Sequence, residues 1–413
     1  MQDALTLCRP DASSLGPLAE VAHRAFRLDP VSDHWHTHIA QNPYVHRGDA
    51  VSVSCGETPV GAAFGLDFEM TYRGRALSML GVAGVAVRPE YRRRGIADMM
   101  MKSLVAEART RRYAVSLLHP FSQRYYARFG YARVESTEVL RAAPSQFFSS
   151  PLAARVEALD LTRGAEVLKQ LYAQSRGDGA LTRDAWWWQH RVLRPNTDAA
   201  VFREPGSDAI TGYVLFMVPG APGYPRQHLV VRELIATTPA AHQGLCGWLA
   251  ALGDQFAVVR WSLPLGSAQT VLREHGVVDA PESYLPFDPM AVVAGGMMAR
   301  LIDVAGALRA HAGLASLPDG PGFGLDLGDP LGPAPFDSYD VRLGPAGVEV
   351  APGRREGLRV EIGIGAMTQL YFSAARLADL VAMGRAVAPA ELVARLDPLF
   401  AGARLCLGSG NYF

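Results

Sequence analysis

Cysteine is scarce in this chain, and neither sign of charge is in excess. The four cysteines among 413 residues (Cys8, Cys55, Cys246 and Cys406) form no CxxC pair and no metal-ligand spacing. They read as free thiols in a reducing compartment, which excludes a disulfide framework and gives no metal site. Forty basic side chains balance 40 acidic ones, for a formal net charge of zero. Nucleic-acid and membrane-surface proteins want a basic excess, so neither partner is expected. No apolar run reaches the roughly 18 residues that a membrane helix needs. No basic stretch followed by an apolar one marks a signal peptide at the N-terminus, so the cytoplasm is the expected location. A P-loop is also missing, since no Gly-Lys-Ser/Thr occurs.

What is present points to a large α/β protein. At about 150 residues per domain, this length suggests two to four domains. Hydrophobic residues make up 49% and charged residues 19%, enough apolar surface for well-formed cores. The most informative segment is Val85-Ala86-Val87-Arg88-Pro89-Glu90-Tyr91-Arg92-Arg93-Arg94-Gly95-Ile96-Ala97. An apolar strand (79–87) leads into a short basic loop. A helix follows, apolar at Ala97, Met100, Leu104, Val105 and Ala108, a 3.6-residue period. The first N–H groups of a helix lack internal partners and carry the positive end of its dipole, so this junction is an anion site. Gly95 and Ala97 let a phosphate approach the backbone, and the arginines add charge.

Around that segment, residues 1 to about 145 alternate between helix and strand. Helix is expected over 14–26. Strands are expected over 51–54, 60–70, 113–118 and 131–140. A short helix over 122–129 closes at Gly130, which tolerates the left-handed position after a helix. Residues 144–151 read as a linker. A second block repeats the order, with helices over 165–175 and 182–193, strands over 210–218 and 229–236, a helix over 239–254 and a strand over 256–263. Its turn, Ala241-His242-Gln243-Gly244-Leu245-Cys246, lacks the basic cluster, so the fold is expected there without the phosphate grip. Residues 291–312 look helical, and 317–335 form a Gly/Pro-rich stretch. Short strands near 339–343, 348–351 and 358–364 and helices over 373–384 and 389–399 complete the pattern. The chain ends Asn411-Tyr412-Phe413, and an aromatic end is expected to be buried.

Arg92-x-x-Gly95-x-Ala97 resembles the pyrophosphate loop of GNAT acyltransferases, which bind acetyl-CoA. The whole chain resembles the Eis (enhanced intracellular survival) family of multi-acetylating amine N-acetyltransferases. The resemblance rests on Gly84-Val85-Ala86-Val87-Arg88-Pro89 with Arg92-Arg93-Arg94-Gly95, on Tyr126-Ala127-Arg128-Phe129-Gly130-Tyr131, on Arg300-Leu301-Ile302-Asp303-Val304 and on the terminal Phe413. It implies two tandem GNAT-like domains and a sterol-carrier-protein-like α/β domain: a catalytic domain over 1–145, a degenerate copy over 146–288, and a third over 289–413 whose end enters the active site. It also implies a homo-oligomer, a hexamer among relatives, with acetyl-CoA as co-substrate and no metal.

The resemblance further implies site residues. Val85, Ala86 and Val87 would pair with the pantetheine arm as an added strand, while Arg92, Arg93, Arg94, Gly95, Ile96 and Ala97 would hold the pyrophosphate. Tyr126 would be the general acid for the leaving thiolate. Phenols titrate near 10 and thiols near 8.5, so tyrosine is protonated at neutral pH. Tyr125 is its rival. The Phe413 carboxylate would be the base, directly or through water. Phe26, Trp35, Gly84 and His119 are candidates for the acceptor side, with Asp29 and Asp33 near Trp35 able to meet a polyamine. Tyr412 stands where an acid would favour aminoglycosides. Trp186, Trp187 and Trp188 read as core and subunit interface. The expected acceptor is a small amine; a protein lysine acceptor, or a non-catalytic CoA- or lipid-binding sensor, are the other readings.

Overall fold

The computed structural model describes residues 4–11, 14–26, 36–219, 227–271, 291–315, 320–332, 334, 336–344 and 347–413. The chain divides into two compact units, one of residues 1–135, 296–405 and 413, the other of 136–295 and 406–412.

The first unit holds two sheets. Its seven-stranded sheet contains β1 (Leu5–Cys8), β2 (Asp49–Cys55), β3 (Thr58–Tyr72), β4 (Arg75–Val87), β5 (Val115–Leu118) and β6 (Ala132–Arg133), with Met298–Leu301 inserted between β5 and β6. The long β3–β4 hairpin closes at Arg73-Gly74, both with positive φ (49° and 70°). Such two-residue turns match the twist of the strands they join. The helix Ile96–Thr110 lays Ile96, Met100, Met101, Leu104, Val105 and Ala108 on this sheet. They meet Val51, Val53, Val60 and Val82, which makes one continuous core.

The second unit carries the other seven-stranded sheet: β7 (Ser136–Ala142), β8 (Val156–Ala158), β9 (Asp198–Arg203), β10 (Ile210–Met217), β11 (Gln227–Ala236), β12 (Phe256–Pro264) and β13 (Ala291–Gly295). The helix Pro239–Ala250 packs on it through Ala241, Leu245 and Leu249. After Met298–Leu301, which is β14, the first unit closes with a five-stranded sheet. This contains β15 (Gly320–Gly328), β16 (Phe336–Gly344), β17 (Gly347–Pro352), β18 (Arg359–Gly363) and β19 (Ala386–Val387), with the helices Val304–Ala310, Ile364–Tyr371, Leu377–Ala382 and Ala390–Phe400 alongside.

Several expectations are corrected. Residues 131–140 are two strands in different sheets. The chain turns at Glu135, whose fully buried side chain accepts the Met297 N–H at 2.9 Å. Residues 291–312 are not one helix: β13 and β14 each join a sheet, and helix begins only at Val304. Sheet pairing far along the chain outweighed the local apolar pattern. The Gly/Pro-rich stretch contains β15, which lies between β16 and β18. Its bare Gly324 leaves room for the Arg359 side chain, about 3.1 Å from where a Cβ would stand. Residues 144–151 are no free linker, because Phe147 is buried in the second unit's core. The helix over 182–193 is a short turn, Ala185–Trp187, running into a wider coil over Trp188–Val192.

Candidate active site

The site grows from a defect in β4. Ala62 pairs with Ala86 and Phe64 with Ala83, so Gly84 and Val85 together oppose Ala63. That is a β-bulge, and Gly84 takes the positive φ (57°) it requires. β4 and β5 run parallel from Met79–Val115 to Val82–Leu118, where β5 ends. Beyond that point Ala86 and Val87 pair with β3, and among the described residues no strand pairs with the other edge of Val85–Val87. The other edge offers backbone groups to an extended ligand, as a sheet edge offers them to an added strand.

Val87 leads into the basic loop. Arg93 and Gly95 both have positive φ (64° and 75°), which turns the loop sharply into the start of the helix. Gly95 is the N-cap of the helix Ile96–Thr110 and has no capping side chain, so the first N–H groups of that helix are left for a ligand. The three arginines divide their roles. The Arg92 Nη2 donates to the Ala25 carbonyl at 3.3 Å, and Arg94 lies over the Tyr91 ring at 5.0 Å. Arg93 lines the cleft from an exposed position.

A cleft of about 620 Å³ joins these pieces. Val85, Ala86, Val87, Arg92, Arg93, Gly95, Ile96 and Ala97 line it, together with Phe26. Arg94 stands outside the lining and keeps its place on Tyr91. Phe26 ends the helix Leu15–Phe26 and is exposed. Trp35, Asp29 and Asp33 lie outside the described residues. His119 follows β5, is exposed, and is not among the lining residues. Ala25, Tyr91, Asp98, Phe121, Tyr125 and Arg128 complete the wall, and sequence reasoning assigned none of them to the site except Tyr125 as a rival. Phe121 follows Pro120 and is 71% exposed beside the cleft. An aromatic directly after a strand end and before a helix cap was the signal available.

The two tyrosines sit differently. Ser122 caps their helix, Gln123–Ala127, through the Tyr125 N–H. Tyr125 faces the cleft, with its hydroxyl donating to Asp98 Oδ1 at 3.2 Å. Asp98 also accepts from Arg128 at 2.9 Å. Tyr126 lies deeper, only 3% exposed, edge-on to Tyr125 at 5.1 Å and to Phe121 at 5.3 Å. Burial, with the Tyr131 hydroxyl nearby, pushes its pKa well above the phenol range. Burial, then Asp98, does the same for Tyr125. Both are therefore protonated at neutral pH. Behind them Tyr131 bonds Ser116 Oγ at 2.7 Å, and burial raises its hydroxyl to about 12.

Phe413 is half-buried. Its ring lies against Phe68, centroids 5.1 Å apart, and over Gly81 of β4. A Cβ at Gly81 would stand 2.8 Å from the Phe413 ring, so only glycine admits the terminal aromatic there.

The second unit places different chemistry at its corresponding junction. Thr238 caps the helix Pro239–Ala250, its hydroxyl accepting the Ala241 N–H at 3.1 Å, and Pro239 removes one donor outright. The segment Ala241–Cys246, read as a turn, lies inside that helix. Gly244 faces the Phe202 ring with no room for a Cβ. None of the four cysteines is in a disulfide, and burial raises Cys246 to about 12. Among the described residues there is no cluster of three or more His, Cys, Asp or Glu able to hold a metal ion, and no helix long and apolar enough to cross a membrane.

Comparison with known proteins agrees with this geometry. Residues 16–134 match an acetyltransferase (GNAT) domain family, residues 179–301 a second acetyltransferase (GNAT) domain family, and residues 306–407 a sterol carrier protein domain. An uncharacterized N-acetyltransferase of Streptomyces avermitilis is 29% identical over 340 residues, 76% of this chain and 75% of the relative. A conserved protein of Enterococcus faecalis, described as a probable N-acyltransferase, superimposes with a TM-score of 0.81 at 18% identity, covering 98% of this chain and 97% of that one. Eis1 of Mycobacterium abscessus does so with a TM-score of 0.76 at 19% identity, covering 99% and 100%. At such identities the structural likeness speaks for the fold alone.

Proposed function

We propose that this chain, an Eis-like GNAT N-acetyltransferase, moves the acetyl group of acetyl-CoA directly onto the amino group of a small amine. The observation that carries this reading is the convergence, in one cleft, of a one-sided strand edge at Val85–Val87 and an uncapped helix N-terminus behind a basic loop. Those two features suit the two ends of a CoA arm, an extended amide chain and a pyrophosphate. Acetyl-CoA supplies an activated thioester when bound.

The chain's own residues supply the rest. The edge of β4 orients the thioester and polarises its carbonyl. Tyr126 donates a proton to the departing sulfur. Burial keeps its hydroxyl protonated, and its neighbour Tyr125 is already engaged with Asp98. The Phe413 carboxylate orients the incoming ammonium and takes its proton, directly or through water. The division into a catalytic first domain, a second domain without the phosphate grip, and a third that ends in Phe413 belongs to the same proposal, as does assembly into a homo-oligomer.

The test is release of free CoA from acetyl-CoA with and without polyamines, aminoglycosides or lysine peptides. Release that depends on a small amine is expected. Turnover on lysine peptides alone would replace the small-amine reading, and binding of acetyl-CoA without release on any acceptor would overturn catalysis.

A further inference from the structure

The helix that carries the tyrosines has only five residues, too few to hold itself in water. Its N-terminal end is fixed by Ser122. Its C-terminal end is fixed from the far part of the chain. The Arg300 Nη1 on β14 donates to the Phe129 carbonyl, just past the helix. Gly130 follows with φ of 79°, and a Cβ there would collide with that same Nη1. Arg300 is fully buried, and its Nη2 is bound to Asp329 Oδ2 at 2.5 Å. Asp329 follows β15, in the part of the chain that matches the sterol carrier protein domain.

Asp329 has a second partner. The Arg109 Nη2, in the last turn of the helix Ile96–Thr110, meets the same oxygen at 2.7 Å. Arg109 also donates to the Leu331 carbonyl at 2.5 Å. One nearly buried carboxylate thus ties together two of the helices that border the cleft, Ile96–Thr110 and, through Arg300, the end of Gln123–Ala127. The second arm is redundant, because the helix Ile96–Thr110 is already held along its length by its buried face. The first arm reaches the backbone itself: packing of Phe129 and Tyr131 in the core and the Arg128–Asp98 pair hold the side chains at that end, while Arg300 holds the Phe129 carbonyl.

We propose that Asp329 and Arg300 are positioning residues that hold Tyr126 at the angle from which it protonates the leaving sulfur. The proposal rests on the reading of Tyr126 as the acid. Without the Asp329 charge, Arg300 is a buried cation with no counter-ion. It turns toward water and releases Phe129.

The experiment is a double-mutant cycle between Asp329→Asn and Tyr126→Phe, read as kcat and as KM for acetyl-CoA. Asp329→Asn is expected to lower kcat by about tenfold, with KM within about twofold. In the Tyr126→Phe background it should lower kcat by no more than about twofold. Arg109→Met, which loosens only the redundant arm, should leave kcat within about twofold. Equal losses in both backgrounds, or an equal loss from Arg109→Met, would reduce Asp329 to general scaffolding and overturn the proposal. Should Asp329→Asn not fold, Asp329→Glu keeps the charge one methylene further out. It is expected to fold with a lowered kcat that again vanishes as an effect in Tyr126→Phe; wild-type kcat there would sink the proposal. Full turnover in Tyr126→Phe alone would overturn the acid assignment itself. An unchanged kcat in Asp329→Asn beside an inactive Tyr126→Phe would overturn only the positioning.

Discussion

Two adjacent tyrosines show how much a single side chain's surroundings decide. Tyr125 is half-buried and lines the cleft, but its hydroxyl is committed to Asp98. Tyr126 is nearly buried, and no carboxylate is among the causes of its raised pKa. If Tyr126 is the acid, Tyr126→Phe lowers kcat by about a hundredfold or more, while Tyr125→Phe changes it by less than about tenfold. Steady-state CoA release measures both, and the reverse ranking would move the assignment to Tyr125. A second residue-scale expectation concerns His311. Its ring is 1% exposed, between Tyr371 (5.1 Å) and Phe400 (4.7 Å). Burial, then the nearby Arg73, drives its pKa down to about 3. The unfolded chain protonates this histidine as pH falls below its ordinary value, and the native chain refuses the proton. The stability it contributes is therefore complete above about pH 6.5 and is lost progressively from there down to about pH 3, reaching a loss of about 2 kcal/mol near pH 5. Denaturant melts of wild type and His311→Phe at pH 7.5 and pH 5 check this. A pH-dependent loss of the same size in both would assign it elsewhere.

At the scale of elements, the strand–loop–helix unit Val85–Thr110 behaves as one device. Its bulge, its two left-handed residues and its uncapped N-terminus each lie in the backbone, so side-chain changes should tune affinity more than chemistry. Arg93→Ala is expected to raise KM for acetyl-CoA by up to about tenfold with little change in kcat. The difference from wild type should shrink as salt is added, since exposed charges are screened. An equal fall in kcat would show that the loop shapes the reacting end as well. This unit was legible in the sequence because its signals are local: apolar period, basic run, glycine. In the second unit the helix expected over 239–254 is present as Pro239–Ala250, started by Thr238-Pro239, and the turn expected at Ala241–Cys246 is part of it. In the structure Gly244 serves only to let the helix approach Phe202.

At the scale of the whole molecule, the last eight residues carry an unusual share of the design. The second unit fixes residues 406–412. The Arg183 Nε donates to Asn411 Oδ1 at 2.8 Å, with its guanidinium also on Glu233 at 2.5 Å, and the Trp187 indole donates to the Gly410 carbonyl at 2.9 Å. The tryptophan run therefore has buried structural partners for Trp187 and Trp188, and Trp186 stacks on His190 at 4.6 Å. Phe413 itself is grouped with the first unit. One alanine appended after Phe413 moves the carboxylate by a residue. It should cut kcat by about tenfold or more while leaving the melting temperature within a few degrees. Full activity in the extended chain would sink the role of the terminus.

By itself the sequence determined the α/β class, the strand–loop–helix junction with its basic run and the adjacent tyrosines, because each is written in residues close to each other along the chain. Only the tertiary structure decided which tyrosine is engaged by Asp98, that Gly81 is the seat of Phe413, that Asp329 reaches the end of the tyrosine helix, and that residues 291–301 are strands. Those outcomes depend on pairings between separate segments, 27 residues apart for Asp98 and Tyr125 and 171 for Arg300 and Phe129. A local apolar pattern carries no record of the partner that will satisfy its backbone, or of the charge that will be buried beside it.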